Sequence, residues 1–177
     1  MFYRLAVYTY GPFLERANSP KIAGFFELEP SVLSSLEASP GFIARSGYPG
    51  DPNMACWGEQ VFPRFWVDNG DGWAPSSLSL WQDIEHIAAA TYHGMHGTAF
   101  RRGREWVVPA IDWPGYVLWW VNEAHQPDWQ EAVGKLEHLH DHGATAQAFT
   151  FKQPFAADGS PRKIDTAKLK NLKTQVT

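Results

Sequence analysis

Tyr116-Val117-Leu118-Trp119-Trp120-Val121 is apolar at all six positions. A strand with one wet face alternates between apolar and polar residues; an unbroken apolar run calls for cover on both faces. Other strand-like segments frame it. Tyr3 to Tyr10 is rich in β-formers and ends at Gly11-Pro12. Phe42 to Ser46 follows the breaker Pro40-Gly41, and Ser77-Leu78-Ser79-Leu80-Trp81 alternates. Ala148-Phe149-Thr150-Phe151 reads as a last strand.

The helical segments fall between these strands. Ser19-Pro20 has the form of an N-cap followed by a first-turn proline, and a second helical piece begins near Pro30, with Val32, Leu33 and Leu36 on one side. Gln82 to about Phe100 is helical, interrupted near Gly94 and Gly97. Asp128 with Glu131 three residues on opens another helix, whose stripe is Trp129, Ala132, Val133, Leu136 and Leu139 and whose stop is Gly143. The order predicts an α+β fold: a ferredoxin-like βαββαβ protomer with an added C-terminal helix and strand, an antiparallel sheet and helices on one face. The other face then needs a cover, which a second copy of the chain would supply. The domain spans residues 1–156, and residues 157–177, polar and lysine-rich, are expected to form a solvated tail.

Composition narrows the function. The net charge of −4 gives no pull toward nucleic acid, and no apolar run approaches the roughly 20 residues that span a bilayer. Cys56 is the one cysteine, and Met1-Phe2-Tyr3-Arg4 leads into a strand without a leader-like apolar region. A cytoplasmic protein is the expectation. The acidic run Asp68-Asn69-Gly70-Asp71-Gly72 reads as a tight turn, since Gly70 stands where a calcium loop needs an oxygen ligand. No metal site is expected, because His93 and His96 lack a third ligand at a recognisable spacing.

Eight of nine tryptophans lie between Trp57 and Trp120, and Tyr92-His93-Gly94-Met95-His96 sits among them. Aromatic residues in this number serve a core, an interface or a ligand cavity equally well. At about 100° per residue, Ile84, Ile87, Ala88, Thr91 and Met95 make the buried stripe of this helix. Glu85, Tyr92 and His96 share one flank, while His86 and His93 turn to water. An imidazole base, a phenol donor and an orienting carboxylate form a workable acid–base set. Arg101, Arg102 and Arg104 suit a carboxylate or phosphate, or pairing with Glu105.

Beyond periodicity, the chain carries Ala38-Ser39-Pro40-Gly41-Phe42, Leu78-Ser79-Leu80-Trp81 and Tyr92-x-x-x-His96. It also carries Arg101-Arg102-x-Arg104-Glu105-Trp106, Leu118-Trp119-Trp120-Val121 with His125 and Pro127, and Ala148-Phe149-Thr150-Phe151. In these it resembles a family of small uncharacterised bacterial and fungal proteins, classed as a domain of unknown function and placed in the dimeric α+β barrel superfamily beside antibiotic-biosynthesis monooxygenases. Where family members usually have a basic residue and a serine after the tyrosine, this chain has His93 and Gly94. The resemblance implies a homodimer whose sheets form a barrel, with ligands between sheet and helices. The functional expectation is an enzyme acting without a cofactor on a hydrophobic, aromatic or polycyclic metabolite, by cyclisation, isomerisation or oxygenation. His96 would be the base, Tyr92 the donor and Glu85 the orienting group. Trp81, Arg101, Trp106, Trp119, Trp120 and His125 would hold the substrate. The alternatives are a haem protein with His96 as axial ligand, and a non-catalytic binding or assembly module.

Overall fold

The computed structural model describes residues 2–92 and 102–175. Its strands are β1 (Tyr3–Tyr10), β2 (Phe42–Arg45), β3 (Ser76–Trp81) and β4 (Tyr116–Asn122). Its helices are α1 (Ala23–Glu37), α2 (Ile84–Tyr92), α3 (Trp129–His142) and α4 (Thr166–Lys173), with a short 3₁₀ turn at Gly103–Glu105. The strands form one antiparallel sheet in the order β2-β3-β1-β4. This is the ferredoxin-like arrangement that the element order predicts.

β4 is buried on both faces, as its composition demands. Register alternation sends Ala6, Tyr8, Leu78, Leu80, Val117 and Trp119 to one face. Leu5, Val7, Trp81 and Leu118 go to the other. α2 and the segment around Phe149 and Phe155 close the second face, and Leu36 of α1 packs there too. α3 closes the first face through Trp129, Ala132, Val133, Leu136 and Leu139, the stripe legible in the sequence. Trp57 and Ala74, from the long connection between β2 and β3, complete that layer. Each such fully buried large side chain contributes on the order of 2 kcal/mol.

Three expectations change here. Helices occupy both faces rather than one, because α3 turns back across the sheet after β4. The face expected to need a second copy is therefore covered by the chain itself. The C-terminal segment is not a solvated tail: Asp165 caps α4 by accepting from Ala167 and Lys168 N–H (both 3.0 Å), and Leu172 is buried. Its sparse apolar residues conceal this packing, since the segment is held largely by charge.

Smaller differences are local. α1 is one helix running through Pro30, which lies on its exposed side. Ala148–Phe151 contributes paired bridges instead of a full strand: Phe149 exchanges both backbone hydrogen bonds with Leu118, each 2.9 Å, on the outer edge of β4. The Asp68 turn is confirmed, with its Oδ1 accepting from the N–H groups of Gly70, Asp71 and Gly72 at 2.8–3.0 Å.

Candidate functional site

α2 begins where Asp83 Oδ1 accepts from the N–H groups of Glu85 and His86, both 3.1 Å. Ile84 to Ala90 are all buried, because the sheet lies on one side and α4 on the other. That double burial decides the fate of the expected acid–base flank. Glu85 is 2% exposed, and its Oε1 accepts from the Arg162 guanidinium and from Asp165 N–H at 2.9 Å. It anchors the C-terminal segment and does not face Tyr92, which lies two helical turns, or about 10 Å, along the axis. His86, expected to face water, is also buried. Its Nδ1 sits 2.8 Å from Asp83 Oδ1, and its ring lies against Gly41, where a Cβ would come within 2.3 Å of it. With φ of +76°, Gly41 meets both the turn and this close approach.

Asp83 also accepts from Lys168 Nζ. Burial pushes its pKa up, but the hydrogen bonds from Lys168 and His86 outweigh this and hold it below the ordinary carboxylate value. The two ion pairs, Asp83–Lys168 and Glu85–Arg162, therefore form a clamp between α2 and α4.

Tyr92 keeps a place suited to chemistry. It ends α2, 43% exposed, and its ring meets Phe151 edge-on with centroids 5.7 Å apart. Tyr116 of β4 packs on the same Phe151 ring at 5.2 Å. The two phenols lie against the same ring and influence each other, and Tyr116 Oη accepts from Phe151 N–H at 3.2 Å. Burial raises both pKa values, that of Tyr116 to about 12, so both stay neutral hydrogen-bonding groups through the physiological range. Tyr116 was legible only as part of a strand. It shares its parity with Leu118 and Trp120, so the pleat alone directs it toward α2. His93, His96 and Arg101 lie outside the described residues.

The tryptophans expected to line one pocket are divided among three layers. Trp119 lies under α3, while Trp81 and Trp120 lie on the α2 face. Trp106 belongs to a separate cluster with Phe13 and Ile22, its ring meeting Phe25 at 6.1 Å. Arg102 stands over that ring at 4.9 Å and grips Glu105 with two bonds, 3.0 and 2.9 Å. The indole N–H groups of Trp81, Trp119 and Trp120 each have an acceptor. Trp81 donates to Ser79 Oγ (3.0 Å), and Trp120 donates to the Phe155 carbonyl (2.8 Å). Trp119 donates to Glu131 Oε1 (2.8 Å), whose Oε2 lies 2.6 Å from His125 Nε2. Glu131, legible as a capping residue, thus joins an exposed imidazole to a buried indole. Among the described residues no cluster of His, Cys, Asp or Glu is arranged to hold a metal.

The sequence pattern of a protein family, the domain of unknown function DUF3291, matches residues 4–166. The chain belongs to that family. The DUF3291 match runs from the first strand to the start of α4, so it takes in the whole sheet, the clamp carboxylates and the Tyr92–Tyr116 pair. No curated protein and no solved structure matches the chain.

Proposed function

We propose that this DUF3291 protein is an enzyme acting on a small, largely apolar metabolite, aromatic or polycyclic, bound at the C-terminal end of α2. The carrying observation is the convergence of Tyr92 and Tyr116 on one ring, Phe151, with both phenols kept neutral by burial. A neutral phenol in a partly dry setting donates to a carbonyl or to a developing oxyanion. His96, four residues beyond Tyr92, is the proposed base. The chemistry is a proton transfer leading to cyclisation or isomerisation, or to oxygenation with dioxygen as the oxidising co-substrate, with no cofactor in the proposal. Glu85 no longer belongs to it, because its carboxylate is engaged by Arg162 and Asp165.

Placement in the dimeric α+β barrel superfamily, a homodimer and a cytoplasmic setting complete the proposal. Because α3 fills the sheet face that a barrel partner would meet, a dimer would join through another surface. Among the described residues no helix is long and apolar enough to cross a membrane.

The test is a panel of phenols, quinones and polycyclic ketones screened by thermal shift, then by turnover. A true ligand raises the melting midpoint. His96→Ala and Tyr92→Phe should each cut turnover of the hit by about 10²-fold or more, the usual scale of lost acid–base or oxyanion assistance. Unchanged turnover in both variants overturns the proposal. A Soret band on haem titration that vanishes in His96→Ala would replace it with a haem protein. Tight binding without turnover would leave a binding module.

A further inference from the structure

A cleft of about 330 Å³ lies between α1, β2 and the connection that follows β2. This volume is within the range of small-molecule sites. Its walls are aromatic. Phe26 and Trp73 are stacked with centroids 6.4 Å apart and planes 27° from parallel. Tyr48 lines the other side, its hydroxyl donating to the Ser76 carbonyl (3.0 Å) and its ring stacked on Trp129.

The charged groups in the cleft are unequal. Arg45 is committed: its Nε donates to Glu37 at 2.7 Å and its Nη1 to the Ser46 carbonyl at 3.3 Å. Asp51 bonds its own loop, its Oδ1 accepting from Asn53 N–H at 2.8 Å. Glu29 is half-buried, and no hydrogen bond to its carboxylate is found among the described residues; its interaction with Arg45 is through space alone. Two carboxylates, Glu29 and Asp51, thus line the cleft with one guanidinium, Arg45, which Glu37 already pairs from outside it. The cleft is short of positive charge, and its ring faces carry the negative quadrupole that attracts cations.

We propose that this cleft binds an organic ammonium ion, its head against Glu29 and beside the Trp73 and Phe26 rings that line the cleft. A carboxylate beside two or three rings is the usual means of holding a trimethylammonium or similar group, which is too weakly hydrated to resist transfer and too bulky for an ordinary salt bridge. The site shares no residue with the Tyr92–Tyr116 pair and stands or falls separately from it.

The experiment titrates the full chain with choline, with its uncharged isostere 3,3-dimethylbutan-1-ol, and with acetate. Tryptophan fluorescence and NMR shifts of the Trp73 indole report binding. Choline should bind saturably and perturb Trp73, while the isostere should bind at least about tenfold more weakly. Glu29→Gln should weaken choline by a similar factor with the far-UV spectrum unchanged. Absence of saturable choline binding, equal binding of the isostere, full binding in folded Glu29→Gln, or acetate binding in place of choline would each overturn the proposal.

Discussion

Glu85 and Glu29 are both helical glutamates withdrawn from water, and they are treated in opposite ways. On α2, Glu85 is almost wholly buried, and its charge is met by the Arg162 guanidinium and the Asp165 amide. On α1, Glu29 is half-buried with its carboxylate open to a cleft, and burial raises its pKa. A buried carboxylate that is fully answered is structural, because removing it leaves an unanswered cation. One left unanswered costs stability and is where a ligand has something to gain.

The largest test of this contrast deletes residues 157–177. It removes Arg162, Asp165 and Lys168 together, taking from Glu85 and Asp83 the partners they have in the C-terminal segment and exposing the apolar side of α2. Lost buried pairs and lost packing should together cost several kcal/mol, visible as failure to fold or as a fall in melting midpoint of more than about 10 °C. A truncated chain that melts like the full one would return the segment to the status of a tail. Next, Glu85→Ala should cost about 2–3 kcal/mol in urea unfolding, toward the low side for a broken buried pair because Arg162 retains some solvent contact.

Acid titration separates the two regions by sign. Asp83 is held below its ordinary value, so its share of stability is present above that value, 3.8, and is lost as pH falls through the lower folded-state value. Wild-type stability should therefore drop below about pH 4, and Asp83→Asn should flatten that drop while lowering stability at pH 7 by about 1 kcal/mol. The smallest effect is at Glu29. Its raised pKa means it favours folding when protonated, and that contribution is lost as pH rises through the folded-state value. Glu29→Gln should thus stabilise the chain at pH 7, by no more than about 1 kcal/mol. A destabilised Glu29→Gln would show that the carboxylate has a structural partner and is not waiting for one.

Much of this fold is legible in the sequence because period and capping chemistry are local. β4 reveals two-sided burial by its composition, and α3 reveals its cap, stripe and stop. The same local logic misplaces Glu85 and His86. A helical wheel orders residues around an axis but does not say how many sides are covered, and α4 lies across the side that would otherwise be wet. α4 itself was hidden because Lys168, Arg162 and a single buried Leu172, rather than an apolar stripe, attach it. The scattered tryptophans show a related limit. Trp119 and Trp120 are adjacent in sequence and therefore occupy opposite faces, so nearness along the chain argues against a shared pocket. Tyr92 and Tyr116 are separated by 23 intervening positions and meet, which only the closure of the sheet onto α2 can bring about.

The Leu118–Phe149 bridge has a bearing on how this protein behaves at high concentration. An open sheet invites a neighbouring molecule to continue it along any unoccupied border. Here the chain returns to its own border and uses up the hydrogen-bonding groups of Leu118, halfway along the last strand. The opposite border is only four residues long, Phe42–Arg45, with an irregular register between Phe42 and Ala44. Neither margin offers a straight template, so a sequence this rich in tryptophan and phenylalanine carries built-in resistance to fibril growth.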